Sequence, residues 1–339
     1  MERRRKFLKQ SCVAAAGAIA MLTISPAYAQ PALPVDRTLE SGQPGRIDLL
    51  RYEPAAERLV LVQGNTVTVL AAADGSLQES ISFRSKPTAL ALGHESGKAL
   101  FALGQQNLLW VVDINGFQVE TTLASPIDFA SLAAFDRASG SFLVASRRSP
   151  GIGAVKPGEG MIKMVGASGP LAALAATGRG WVFGAAVDRP VIYVFDSLSL
   201  TGMGTFSAQG CENPSDMALD DLERRLYLTC TNGQLLVFDS DTGVVLARHE
   251  LPAGASRLIV RTLEGRTIQA IVLAEDASLT VFEGRIMVSG VRNVYRGLDE
   301  TGKLQMEKGM GRIFLASGSP VSPLAVQRPG TLHAPLGES

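Results

Sequence analysis

The sequence predicts an all-β fold of seven four-stranded antiparallel units arranged in a ring, and three observations carry that expectation. A short apolar run returns seven times, starting at Leu59, Leu100, Phe142, Val182, Leu226, Ile271 and Ile313, with steps of 41, 42, 40, 44, 45 and 42 residues. A period of roughly 40–45 residues with several short strands per repeat is the arithmetic of a β-propeller. The composition is 46% apolar with only 6% aromatic residues and 35 glycines, so Ala, Val and Leu fill the core and strands alternate with tight turns. Such a balance suits sheet packed on sheet. Beyond the N-terminal leader no segment holds a helical apolar period for several turns, which argues against a doubly wound α/β fold.

The clearest unit runs from Cys211 to Pro252. Pro214 to Asp220 reads as the first strand, Arg225 to Cys230 as its antiparallel partner, Leu235 to Asp239 as the third and Val244 to His249 as the fourth. Thr231-Asn232-Gly233 and Asp241-Thr242-Gly243 supply residues that accept positive φ, so both later turns have a local cause. Pro87 to Leu92, Ala99 to Leu103, Leu108 to Asp113 and Gln118 to Leu123 spell an earlier unit in the same grammar. Asp220 and Asp239 stand at strand ends, where a carboxylate caps a turn.

The last repeat lacks an outer strand, because only a Pro- and Gly-containing tail follows Leu324 to Gln327. Val35 to Glu40 is the predicted donor, closing the ring and covering two sheet edges. The weaker pattern from Gly254 onward leaves a six-bladed count as the alternative. The predicted organisation is a leader over 1–29, a β-propeller over 30–327 and a tail over 328–339.

Arg4-Arg5-Lys6-Phe7-Leu8-Lys9 resembles the twin-arginine export motif, with Arg3 where Ser or Thr is usual, so the general secretory route stays open as the alternative. A short apolar stretch from Val13 to Ile24 and small residues in Ala27-Tyr28-Ala29 predict cleavage before Gln30 and a periplasmic location. The apolar stretch falls short of the ~20 residues of a spanning helix, and no membrane span is expected in the mature chain. The leader holds five basic residues and one acid, so of 32 basic and 32 acidic residues, 27 and 31 lie beyond it, a net charge of −4. That mildly acidic balance speaks against a nucleic-acid partner.

The stretch from Cys211 to Asp220, followed by Arg224-Arg225-Leu226-Tyr227-Leu228-Thr229-Cys230-Thr231-Asn232-Gly233, resembles the YVTN-type, lactonase-like seven-bladed propellers. The resemblance covers nearly all of the mature chain and implies fold more than reaction. It leaves a lactonase-like hydrolase of small sugar acids or lactones as an alternative, with no matched catalytic residue.

Cys211 and Cys230 are the cysteines that remain after the leader, and the hairpin between them brings them to one face. In an oxidising compartment they are expected to form a structural disulfide; the close Cys-x-x-Cys spacing of a redox pair is missing. His94, His249 and His333 lie in separate segments, so no metal site and no cofactor are predicted. There is no Gly-x-Ser-x-Gly elbow and no phosphate-cradling glycine loop, and no catalytic residue is assigned.

The repeat is disturbed between Ser146 and Met161, where the second-to-third-strand connection reads as a loop lengthened to Arg147–Gly160. It carries Arg147, Arg148 and Lys156 and should share one face with Arg189, Glu212 and Asn213. A basic loop over the channel mouth is expected to contact a periplasmic protein or a small anionic ligand; a surface insertion without a role is the plainer alternative. The chain is therefore read as an exported, non-catalytic binding or scaffold protein. An accessory subunit of a periplasmic oxidoreductase, exported together with its loaded partner, is a further alternative.

Overall fold

The computed structural model describes residues 37–40, 47–262, 268–274, 279–284, 291–295, 305–309, 312–316 and 323–327. The expected leader (1–29), the tail (328–339) and Val35 lie outside the described residues. Within them the regular elements are β-strands and two one-turn 3₁₀ segments, His94–Ser96 and Gly104–Gln106.

Strand β1 (Arg37–Glu40) comes first. Strands β2 (Leu49–Glu53), β3 (Arg58–Gln63), β4 (Thr66–Ala71) and β5 (Leu77–Ser82) form one antiparallel sheet. Strands β6 (Ala89–Gly93), β7 (Lys98–Leu103), β8 (Leu108–Asp113) and β9 (Val119–Ala124) form the next. A seven-stranded sheet follows: β10 (Leu132–Asp136), β11 (Ser141–Ala145), β12 (Pro150–Lys156), β13 (Gly160–Ala176), β14 (Trp181–Ala186), β15 (Val191–Asp196) and β16 (Gly202–Ser207). Strands β17 (Pro214–Asp220), β18 (Arg225–Cys230), β19 (Gln234–Asp239) and β20 (Val245–Glu250) reproduce the unit read most clearly in the sequence. Strands β21 (Ala255–Thr262), β22 (Ile268–Ala274), β23 (Leu279–Gly284) and β24 (Val291–Tyr295) make another four-stranded sheet. The last joins β25 (Gln305–Gly309), β26 (Arg312–Ala316) and β27 (Pro323–Gln327) to β1. There Arg37 lies opposite Val326 and Glu40 opposite Pro323, so the N-terminal strand supplies the expected outer strand.

The seven-stranded sheet arises because β13 is 17 residues long and serves two neighbours. Its first part, Gly160 to Val165, pairs with β12, and its last part, Leu171 to Ala176, pairs with β14. Small residues between them, Gly166-Ala167-Ser168-Gly169, let the chain pass from an outer to an inner position without leaving β geometry.

Segment 147–160 is not the lengthened loop the sequence suggested. Most of it is β12, which pairs with β11 on one side and β13 on the other, leaving only Ser146 to Ser149 as the connection. Gly153 reflects close packing, whereas Gly151, Gly158 and Gly160 hold positive φ. A Cβ on Gly153 would lie 2.6 Å from Pro126 Cγ, while Ile152, Ala154 and Val155 are buried. Gly153→Ala is therefore expected to cost about 1–3 kcal/mol through overpacking against a rigid ring, read as a lower urea midpoint; an unchanged midpoint would mean that Pro126 moves freely.

Burial falls off from the second to the fourth strand in the sheets spanning residues 49–124. Strands β3, β7, β18 and β22 are buried almost throughout, whereas β5, β9 and β16 are largely exposed. Second and third strands bury both faces because neighbouring sheets cover them. One apolar cluster joins Val60, Val67 and Val69 to Phe101 and Val112. Another joins Phe183 and Val194 to Leu226 and Phe238. First strands pack in succession: β2 on β6, β6 on β10, β10 on β13, β13 on β17, β17 on β21, β21 on β25, and β25 on β2.

The turns follow the expected carboxylate chemistry. Asp113 accepts backbone N–H bonds from Asn115 and Gly116, Asp196 from Ser199, and Asp239 from Asp241 and Thr242. Asp220 caps the preceding turn through Leu222 and Glu223. The Gly116 N–H on Asp113 and the Ser199 N–H on Asp196 hold those carboxyls below their ordinary range.

Candidate functional site

First strands begin, and second-to-third connections lie, at one end of the sheets, here called the entry end. Arg147 and Arg148 follow β11 there, Arg189 lies between β14 and β15, and Glu212 and Asn213 precede β17. Lys156 closes β12 at the opposite end, where it pairs with Glu159 at 2.9 Å. Its placement beside the other five is corrected for a simple reason: a seven-residue strand separates it from Arg148.

The connection carrying the two arginines is fixed by Ser146. Its buried hydroxyl donates to the Phe129 carbonyl at 2.9 Å and accepts the N–H groups of Arg148 and Ser149 at 3.1 and 3.3 Å. The Arg148 guanidinium lies 3.9 Å from the Phe129 ring centroid. Phe129 holds a left-handed backbone with φ 52°, secured by its N–H on Asn107 Oδ1 at 2.8 Å. Cation and ring are thus positioned before any partner arrives.

Arg147 turns inward. Its Nη2 donates to the Ser215 carbonyl on β17 at 2.7 Å, bridging two units that are not neighbours in sequence. Although the residue still reaches solvent, desolvation by the groups around it pushes its guanidinium below the ordinary value, Asp216 opposes that shift, and the like charge of Arg257 adds to it. Arginine stays protonated at neutral pH regardless. Asp216 joins inner strands by accepting the Leu258 N–H at 3.0 Å, as well as its neighbour Met217 N–H at 2.9 Å.

Asp216 and Arg257 were not anticipated as companions of Arg147. The available signal was a polar residue in the interior of a first strand, at Arg51, Asp216 and Arg257, where β6 carries Leu and Ala instead.

Cys211 and Cys230 form the expected disulfide, with Cα atoms 5.4 Å apart. It fixes the segment that presents Glu212 and Asn213. The Glu212 N–H donates to Asn232 Oδ1 at 3.3 Å, and Asn213, with φ 47°, accepts the Thr231 N–H at 3.1 Å. The Arg147–Ser215 bond therefore brings Arg147 to within two residues of Asn213 along β17. Arg189 instead binds its neighbour Asp188 through two bonds of 3.1 and 2.9 Å, and those bonds hold the Asp188 carboxyl below its ordinary range.

A cavity of about 310 Å³ opens toward the other end of the channel, between β2, β6 and β10. Arg51, His94 and Arg137 line it beside Tyr52, Leu92 and Phe135. Among the described residues no three His, Cys, Asp or Glu side chains gather into a metal-holding group. No helix among those residues is long and apolar enough to cross a membrane.

No family model matches the chain, and no curated protein matches it in sequence. Among solved structures it resembles a WD40-type propeller chain in the "Crystal Structure of Mitotic Checkpoint Complex". The two agree with a TM-score of 0.73 over 97% of this chain and 99% of that one, at 14% identity. That likeness establishes a β-propeller type of fold.

Proposed function

We propose that this chain is an exported periplasmic protein with a seven-bladed β-propeller, serving as a non-catalytic binding or scaffold protein through its entry-end loops. Dividing the seven-stranded sheet within β13 leaves seven four-stranded units, and the return of first-strand packing from β25 to β2 supports that count. The twin-arginine-like leader and the disulfide favour an oxidising compartment outside the cytoplasm. The YVTN-type resemblance agrees with this reading. So does a structural neighbour crystallised within a protein complex.

The observation that carries the binding role is the presentation of Arg148. It is exposed, held by the Ser146 turn, and stacked on Phe129 rather than paired with a carboxylate among the described residues. Arginine on a rigid aromatic platform is a frequent interface anchor. A hydrolase would need carboxylates converging on the channel. Here Asp216 is committed to backbone N–H groups, and Glu53 and Glu95, the acids beside the cavity, are paired with Arg58 and Arg137.

The test is affinity capture from native periplasm with mass spectrometry of co-eluting proteins. Arg148→Glu should lower partner recovery about tenfold through lost anchoring and charge repulsion, with an unchanged thermal midpoint. Recovery of the same partners in equal amounts overturns the assignment.

A further inference from the structure

We propose that the cavity between β2, β6 and β10 is a binding site for a small aromatic carboxylate. Two guanidinium groups and an imidazole line it: Arg51 comes from β2, His94 from the turn after β6 and Arg137 from the turn after β10, and among the described lining residues none is Asp or Glu. Three successive units thus converge nitrogen donors on one space. At ~30 Å³ per water, the 310 Å³ volume holds about ten waters. That is ample for one ring and its carboxyl group.

The donors are held in place from behind. Arg51 Nη1 donates to the Leu50 carbonyl at 2.8 Å. Arg137 Nε binds Glu95 Oε1 at 2.6 Å, and His94 Nδ1 stands 3.4 Å from Glu53 Oε1. Glu95 and Glu53 orient Arg137 and His94 without standing among the described lining residues, so an incoming anion meets nitrogen donors. Charged N–H donors bind a carboxylate more strongly than a neutral group, which favours that anion at the rim.

The body of the ligand is set by the rest of the wall. Leu90, Leu92, Ala133 and Phe135 supply apolar surface, with Tyr52 beside them. The Phe135 ring is seated by Gly93, where a Cβ would lie 2.7 Å from two ring carbons, and it packs on Phe142 with centroids 5.0 Å apart. A fixed aromatic wall suits a flat ring in the ligand. An inorganic anion would leave that wall against water and gain nothing from it.

The test is fluorine NMR titration of the purified chain with para-fluorobenzoate, para-fluorobenzamide and competing sulfate. The benzoate should bind at least about tenfold more tightly than the neutral benzamide, the fold-change carried by charged hydrogen bonds. Arg51→Met and, separately, Arg137→Gln should each weaken the benzoate about fivefold or more, while Arg148→Gln at the entry end leaves it unchanged. Sulfate at equal concentration should not displace it. The proposal is overturned if benzoate fails to bind below about 10 mM, if benzamide binds equally well, or if sulfate competes on equal terms. The benzoate–benzamide comparison uses the unaltered chain, so a misfolded variant does not spoil the outcome. Failure here leaves the entry-end assignment standing, because that rests on Arg148 and a separate partner assay.

Discussion

Glu53→Ala is expected to destabilise the chain by about 3–5 kcal/mol, the usual cost of removing one member of a buried ion pair. Glu53 and Arg58 are both buried, with Arg58 Nη2 3.2 Å from Glu53 Oε2. The carboxylate also accepts the Ala55 and Ala56 N–H groups at 2.8 and 2.9 Å. Arg58 reaches across to the next sheet, donating to the Ile114 carbonyl at 2.8 Å. Removing Glu53 leaves a buried cation uncompensated at a junction between two units.

The same carboxylate makes stability depend on pH. Burial alone pushes the Glu53 carboxyl up, but the N–H groups of Ala56 and Ala55 and the Arg58 pair outweigh it and hold the group below its ordinary 4.5. A depressed folded-state value contributes stability that is present above the unfolded value and lost as pH falls through the folded one. Urea midpoints should therefore show the gap between wild type and Glu53→Gln at full size above pH 4.5 and shrinking below it. A gap that stays constant down to strongly acidic pH would contradict this origin.

Loss of the Cys211–Cys230 bond is expected to cost about 3 kcal/mol by the chain-entropy estimate, given a sequence separation of 19. The double variant Cys211→Ala/Cys230→Ala tests this most cleanly. Its denaturation midpoint should match that of reduced wild type, and reductant should leave the variant unaffected. Because the crosslink closes the hairpin behind Glu212 and Asn213, amide exchange should speed up first from 211 to 214 and from 230 to 233. Equal midpoints for oxidised and reduced wild type would assign the bond no structural role.

Much of the fold was legible because its causes are local. The strand-ending aspartates, the Asn-Gly and Thr-Gly turns and the short apolar runs each operate within a few residues. Repetition of those signals exposed the period, and the missing outer strand after Gln327 pointed to the partner found at Arg37–Glu40. The cysteine pair was legible for the same reason, since one hairpin sets both positions.

The error at 147–160 had the opposite cause. The segment read as a lengthened loop is mostly strand, and Gly153 is small because Pro126 presses on it from an earlier segment. Lys156 was carried to the wrong end of the sheet by that single misreading. Arg148 lies at the entry end, where the sequence put it, because its setting, the Ser146 turn, is local.

The sequence by itself determined the repeat, its turns and the disulfide hairpin, since each follows from near-neighbour chemistry, and the donor strand, since the last repeat lacks an outer strand of its own. Tertiary structure decided which polar groups meet: Arg147 with Ser215 and Asp216, Arg58 with the Ile114 carbonyl, and Arg51 with His94 and Arg137 around one cavity. Those meetings depend on how successive sheets pack around the channel, a long-range geometry that no local pattern of residues encodes.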